Sequence, residues 1–372
     1  MKRKIVVCPD SFKGSISAKD AADSIAKGLV EAIDCEVVCL PIADGGEGTL
    51  DALVKDGKIT VSVTGPYGKE VSAQYGMLGK TAVIEMAQAS GLTLQNEAER
   101  CVKNATTFGV GQLIKHALSN GCEKILLTVG GSATNDGGCG MFCALGARFL
   151  NKDGQDFLPV GATLCDIEAI DISGVDSRVF ECEFTIATDV KNTLTGPDGA
   201  TCVYAKQKGA TDDDLALMEA GMRHYARVLG NGVADTEGAG AGGGLAVPLL
   251  AFCNAKICSG IDAVIDAIDF ENKIAGADAI ITGEGKLDRQ SLFGKTISGV
   301  VKCAAKKDVA VFCMVGCVSD DKKELKSLGV SDVFALSDIA PDPEYSMTHA
   351  DELLYTLARD NILKIIDKAT VK

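Results

Sequence analysis

The chain has 372 residues, 47% of them hydrophobic, and its 51 acidic against 37 basic side chains give a formal net charge of −14. Single hydrophobic cores stop growing at roughly 250–300 residues, so two domains are expected. The acidic balance, with no Lys/Arg-rich run to offset it, argues against nucleic acid and anionic membrane surfaces as partners.

No stretch approaches the ~20 apolar residues that span a bilayer. The opening MKRKIVVCPDSF sets basic residues before an apolar run, but Ile5–Cys8 is too short for a signal-peptide core and stops at Pro9-Asp10. A cytoplasmic protein is the expectation. The 15 cysteines, with no C-x-x-C spacing and only three scattered histidines, suit neither structural zinc nor a disulfide framework. They read as small buried hydrophobes.

Along the chain, short strands alternate with amphipathic helices. Lys4–Cys8 reads as a buried strand, and Ser17 as a helix N-cap with Asp20 three residues on. Ala18, Ala21, Ala22, Ile25, Ala26, Leu29 and Ile33 then recur at helical spacing. Val37–Ile42 is the next strand, followed by a glycine turn and a short helix at Thr49–Val54. This βαβα opening implies parallel strands. Between Ile59 and Met86 the pattern changes to period two around Gly-Pro-Tyr-Gly and Leu-Gly-Lys, which predicts antiparallel hairpins and entry into a second domain. Further strands are expected at Lys124–Val129, Phe184–Thr188, Asp278–Thr282, Val309–Val315 and Val333–Leu336, and helices at 139–149, 212–229, 262–275, 297–306 and 350–367. The C-terminal βα elements are expected to rejoin the N-terminal ones, which makes the second domain an insertion.

The chemistry collects where strands end. Five predicted strands run into loops that combine glycine with carboxylates or hydroxyls. They hold Asp10, Ser11 and Lys13; Asp44, Gly45, Gly46 and Glu47; Gly130 to Gly138; Asp189 and Asn192; and Gly283, Glu284, Gly285, Lys286 and Asp288. Ligands of open α/β sheets bind outside the carboxyl ends of the strands, so these loops are candidates to line one cleft. In the third loop, Gly130 and Gly131 let backbone N–H groups approach an anion, and the helix that follows favours negative charge. Ser132, Thr134, Asn135 and Asp136 add polar side chains there. Asp189 with Asn192, and Glu284 with Asp288, offer the hard oxygen ligands that Mg²⁺ takes. Lys13 and Lys286 supply positive charge inside an acidic chain.

Two apparent motifs fail on context. Gly238–Gly244 has glycines at dinucleotide-fingerprint spacing, but Val233–Glu237 ahead of it is not a convincing strand. Gly294-Lys295-Thr296 ends like a phosphate loop, yet Arg289 stands where its first glycine belongs.

PDSFKGS at 9–15, PIADGGEGT at 41–49, GGSATNDGG at 130–138, ATDVKN at 187–192, GAGAGGGL at 238–245 and ITGEGKLD at 281–288 together resemble the glycerate kinase type-1 family. Each motif alone is common; the ordered set, from the first strand to the C-terminal helices, is specific. The resemblance implies two α/β domains, one Rossmann-like with a parallel sheet (1–58 plus 285–372) and a second, smaller one inserted (59–284), enclosing a cleft. It implies an ATP- and Mg²⁺-dependent kinase of D-glycerate. The product would be 2-phosphoglycerate, as in bacterial members, with 3-phosphoglycerate the less favoured alternative.

Phosphoryl transfer needs positioning and charge neutralisation above all. The glycine loops with Lys13 or Lys286 are therefore assigned to the ATP phosphates, Asp189 or Glu284 to Mg²⁺, and Asp189 to the role of base or metal ligand. The cation that binds the glycerate carboxylate stays open among Arg100, Arg289 and several lysines, and so does the oligomeric state. Rival readings are an NAD-dependent hydroxy-acid dehydrogenase, which lacks a strand-anchored fingerprint here, and a small-acid binding protein, which normally carries an export signal.

Overall fold

The structure is a computed structural model that describes residues 2–54, 56–230, 232–287, 295–319 and 329–370. The chain divides into two compact units, the first comprising Met1–Asp44, Asp51–Leu53 and Gly260–Lys372, the second Gly45–Leu50 and Val54–Ser259.

The first unit is built on a five-stranded sheet in the order Val330–Ala335, Ala310–Val315, Ala279–Thr282, Arg3–Val7, Cys35–Cys39. Every pair is parallel. The residues at its centre (Ile5, Val6, Val7, Ile280, Ile281, Phe312, Cys313) are fully buried, as expected for a parallel sheet covered on both faces. The helix Ala18–Ala32 starts where its cap predicts: the Ser17 hydroxyl oxygen accepts from the Asp20 backbone N–H at 3.1 Å and donates to the Asp20 carboxylate at 2.6 Å. Its face of Ala21, Ala22, Ile25 and Leu29 meets Leu354, Leu357 and Ala358 of the long helix Ala350–Thr370 in one apolar core.

Strand order reverses between Arg3–Val7 and Ala279–Thr282, because the chain goes from the first to an edge neighbour and returns on the other side. That break is where the carboxyl ends of an open α/β sheet splay apart and leave a crevice.

Two expectations on organisation are corrected. Ala279–Thr282 pairs with Arg3–Val7 in register Val6↔Ile280, so the first unit resumes at Gly260 rather than at 285. The inserted unit is also the larger of the two. Alternating strands and helices do not reveal which sheet a buried strand such as AIIT joins; its pairing and the Arg3–Asp278 ion pair at 2.9 Å decide it.

The second unit has a six-stranded sheet in the order Lys256–Cys258, Glu183–Ala187, Lys124–Thr128, Thr81–Glu85, Glu70–Leu78, Ile59–Thr64. The period-two segment forms the antiparallel end, and the pairs from Thr81–Glu85 through Lys256–Cys258 are parallel. The helix expected at 139–149 ends at Ala144. Arg148–Leu150 instead enters a small antiparallel sheet with Asp156–Phe157 and Ala169–Asp171. The helix expected at 262–275 is two, Gly260–Ala267 and Phe270–Lys273, divided at Asp269 with φ 53°. Among the described residues, no helix is long and apolar enough to cross a membrane.

Candidate active site

The crevice of the first unit is a cavity of about 650 Å³. Three loops that follow strands supply much of its polar lining: Asp10, Ser11 and Lys13 after Arg3–Val7, Asp44 beyond Cys35–Cys39, and Glu284 to Lys286 after Ala279–Thr282. The first and third loops are stitched together, since the Asp10 N–H donates to the Gly283 carbonyl oxygen at 2.8 Å. Gly283 is required at this point. A Cβ built on it would press into the Met314 carbonyl oxygen of the neighbouring strand, so only glycine lets the backbones come so close.

Asp10 is 7% exposed. One carboxylate oxygen accepts from the Ser11 N–H at 2.6 Å and the other from the Thr296 hydroxyl at 2.7 Å. Burial raises its pKa above the ordinary Asp value, and the Thr296 hydrogen bond opposes that rise. Thr296 is itself fully buried at the start of the helix Thr296–Lys306. Lys13 pairs with Asp44 at 3.1 Å. Its ammonium is held charged, its pKa raised first by Asp44 and then also by Asp10 and Glu284.

The second unit gathers the other predicted loops. Glu47 is exposed, and its carboxylate lies over Gly131, while Gly130 faces Gly46 and the Glu47 backbone. Beyond Gly131 the GGSATNDGG segment turns inward. Thr134, Asn135 and Asp136 are fully buried. The Asp136 carboxylate accepts from the N–H groups of Thr107, Gly138 and Gly140 and from the Thr107 hydroxyl, at 2.8–3.2 Å. It ties the loop to two helix starts. Burial raises its pKa, against those hydrogen bonds. The Asn135 amide donates to the Thr201 hydroxyl at 2.9 Å.

The glycine-rich 238–244 segment explains why this interior exists. Its backbone runs between the 130–138 loop and the 188–194 loop, with Gly137 N–H donating to the Gly243 carbonyl oxygen at 3.0 Å and Gly240 N–H to that of Asn192 at 2.9 Å. A side chain at Gly243 would strike the Thr134 carbonyl oxygen. The segment follows the short 3₁₀ turn Val233–Asp235 and not a strand, so it forms no dinucleotide fingerprint. Asp189 is exposed after the strand Glu183–Ala187. The Asn192 side chain is engaged within the protein, donating to the Asp198 carbonyl oxygen at 2.6 Å and accepting from the Tyr204 hydroxyl at 2.7 Å.

The structure thus brings Asp10, Ser11, Lys13, Asp44, Glu284, Gly285 and Lys286 to one cavity. It brings Gly45, Gly46, Glu47, Gly130 and Gly131 near one another in the second unit. Asp288 lies outside the described residues.

Three contributors were missed from sequence. Lys295 lines the cavity and Thr296 holds Asp10; the sequence signal that could have flagged them is the Lys295-Thr296 pair, set aside because Arg289 stands where a phosphate loop has its first glycine. The third is Lys208, 3% exposed, whose ammonium donates to the Ser132 hydroxyl at 2.5 Å and the Thr134 carbonyl oxygen at 2.8 Å. Burial pulls its pKa down to about 7, with Asp136 acting in the opposite sense.

Among the described residues, no three His, Cys, Asp or Glu side chains converge closely enough to cage a bare cation. Mg²⁺ seldom uses such a cage; it takes one or two carboxylates and completes its shell with water and phosphate oxygens. Asp44 and Glu284, hard oxygen donors around a cavity that also carries three lysines, fit that mode.

Residues 5–367 match the model of the glycerate kinase family. The chain is 44% identical over 367 residues to a glycerate kinase of Bacillus subtilis (strain 168), covering 96% of each. It is 40% identical over 343 residues to a glycerate 2-kinase of Escherichia coli (strain K12), covering 90% of each. A crystal structure from Salmonella typhimurium LT2, provisionally named glycerate kinase 2, superposes with a TM-score of 0.88 at 39% identity, covering 98% of both chains.

Proposed function

This chain belongs to the glycerate kinase family and is a kinase, and from that premise we propose that it transfers the γ-phosphoryl group of ATP to a hydroxyl of D-glycerate in the cytoplasm, giving 2-phosphoglycerate. The observation that carries the reading is the cavity at the strand-order reversal, where lysines and carboxylates face each other over a space large enough for a nucleotide. The choice of the 2-phosphate follows the name of the Escherichia coli relative.

Within the first unit, Lys13, Lys286 and Lys295 bind phosphate oxygens, and Glu284 is the carboxylate assigned to Mg²⁺. When bound with ATP, Mg²⁺ would offset the charge that develops on the phosphoryl oxygens. Asp10 is assigned to the proton of the attacking hydroxyl. A general base works best with a pKa brought toward the working pH, and burial moves Asp10 in that direction while Thr296 and Ser11 fix its orientation. Asp189, an exposed carboxylate of the second unit, keeps the role of base or metal ligand assigned from sequence. Glu47, Gly130 and Gly131, gathered within the second unit, keep the binding role assigned from sequence. Cytoplasmic residence fits the fifteen cysteines, all described, among which no disulfide forms.

Phosphorus NMR of the purified protein with Mg-ATP and D-glycerate tests the proposal. A phosphomonoester signal matching 2-phosphoglycerate is expected. A 3-phosphoglycerate signal keeps the kinase and changes the position, and untouched ATP overturns the activity.

A further inference from the structure

Glycerate cannot account for the cavity of the first unit. A three-carbon acid has almost no apolar surface to cover and would occupy a small part of about 650 Å³. The polar groups stand at the carboxyl ends of the central strands. Another part of the lining comes from the segment after the edge strand Val330–Ala335, which presents Leu336, Ala340, Pro341, Pro343 and Met347, with Ser337, Asp342 and Ser346 between them. Met347 is 53% exposed, and both prolines are exposed. The short helix Pro343–Thr348 is held over the cavity by the Ser15 hydroxyl, which donates to the Met347 carbonyl oxygen.

We propose that this part of the lining is the base subsite of a nucleoside triphosphate site. The heterocyclic base packs on Pro341, Pro343 and Met347, and the triphosphate runs from it toward Lys13, Lys286 and Lys295. This rests on the reading of the chain as an ATP-dependent kinase and adds where the base is recognised. Ligand sites combine an apolar lining with a few placed polar groups, and this cavity has both in one enclosure. A thioether is a favourable neighbour for an aromatic ring, since its sulfur is polarizable and its chain adapts in shape. Glycerate would not repay an apolar wall, whereas a base has two apolar faces.

The test is Met347→Glu, which sets a carboxylate against the base, read beside the wild type. The KM for ATP is expected to rise about tenfold or more, while the KM for glycerate moves less than about twofold. Inhibition by Mg-tripolyphosphate, which has the phosphates and no base, is expected to stay the same. An unchanged KM for ATP, or a rise confined to glycerate, overturns the subsite. Photolabelling of the wild-type protein with azido-adenine ATP gives a second reading that needs no variant. A label in the 336–348 peptide supports the proposal, and a label elsewhere overturns it. Failure of the kinase reading looks different: the wild type binds ATP, with the label on that peptide, yet leaves glycerate unphosphorylated.

Discussion

The Thr296 hydroxyl donates to the Asp10 carboxylate across 2.7 Å, and both groups are buried. The bond favours the ionised carboxylate against the desolvation that raises its pKa. Thr296→Val keeps the shape and removes the donor. The acidic limb of the kcat/KM profile is therefore expected to move to higher pH, with lower activity at neutrality. For stability the sign is the reverse of the usual acid. Asp10 folded has the higher pKa, so between the ordinary Asp value and the raised one the folded state binds more protons, and its contribution falls as pH rises. Above the raised value the cost of the buried charge is present in full. Asp10→Asn is expected to match or exceed the wild-type melting temperature while losing activity by powers of ten, as measured by calorimetry and turnover.

Asp189→Asn addresses the other candidate carboxylate. Asp189 is exposed, so the substitution is expected to leave the melting temperature within error. A loss of about two to four powers of ten in kcat is expected for a base or metal ligand. Wild-type turnover would remove Asp189 from the mechanism and leave Asp10 as the acting carboxylate.

Lys208 links pH to the stability of the second unit. Its folded pKa of about 7 lies below the ordinary lysine value, so between the two the unfolded chain binds more protons. Stability from this group therefore rises with pH across that window and is flat below it. Lys208→Met lacks the effect. The unfolding free energy of wild type minus variant, from denaturant titrations, should climb between about pH 7 and 10 by at most ~1.4 kcal/mol per unit. A pH-independent difference would show that Lys208 stays charged when folded.

Gly283→Ala probes the stitching of the cavity floor. The added methyl meets the Met314 carbonyl oxygen, so the strand end must shift. A loss of about 1–3 kcal/mol in stability is expected, together with a raised KM for ATP. An unchanged KM with lowered stability would separate the floor from the binding geometry.

Much of the framework is legible because it is local. The Ser17 cap, the apolar face behind it and the period-two hairpins each depend on neighbours a few residues away. The loops after Arg3–Val7 and Ala279–Thr282 are legible for a related reason: each glycine–carboxylate turn alone is common, but several of them following predicted strands fall where open α/β sheets bind their ligands. What is not legible depends on contacts distant in sequence. A glycine-polar run such as GGSATNDGG reads the same whether its backbone faces a ligand or another loop, and here 238–244 occupies most of it. Lys208, between Gln207 and Gly209, reads as a surface lysine until Ser132 and Thr134 are placed over it. Pro341 and Pro343 carry no signal of a ligand in the sequence, and only the fold brings them to a cavity.

The pairing of Ile5 with Ala279 sets an order of assembly. A ribosome delivers the first strand long before its central partner, and everything from Val54 to Ser259 emerges in between. The inserted unit, with its own sheet and core, can fold while the N-terminal strands are still waiting. During that interval Ile5, Val6 and Val7 stand as an unfinished edge, the kind of surface that invites pairing with other chains. Slow translation ahead of Ala279 would lengthen this exposure, so aggregation during synthesis should begin with the oldest segment of the chain and not the newest.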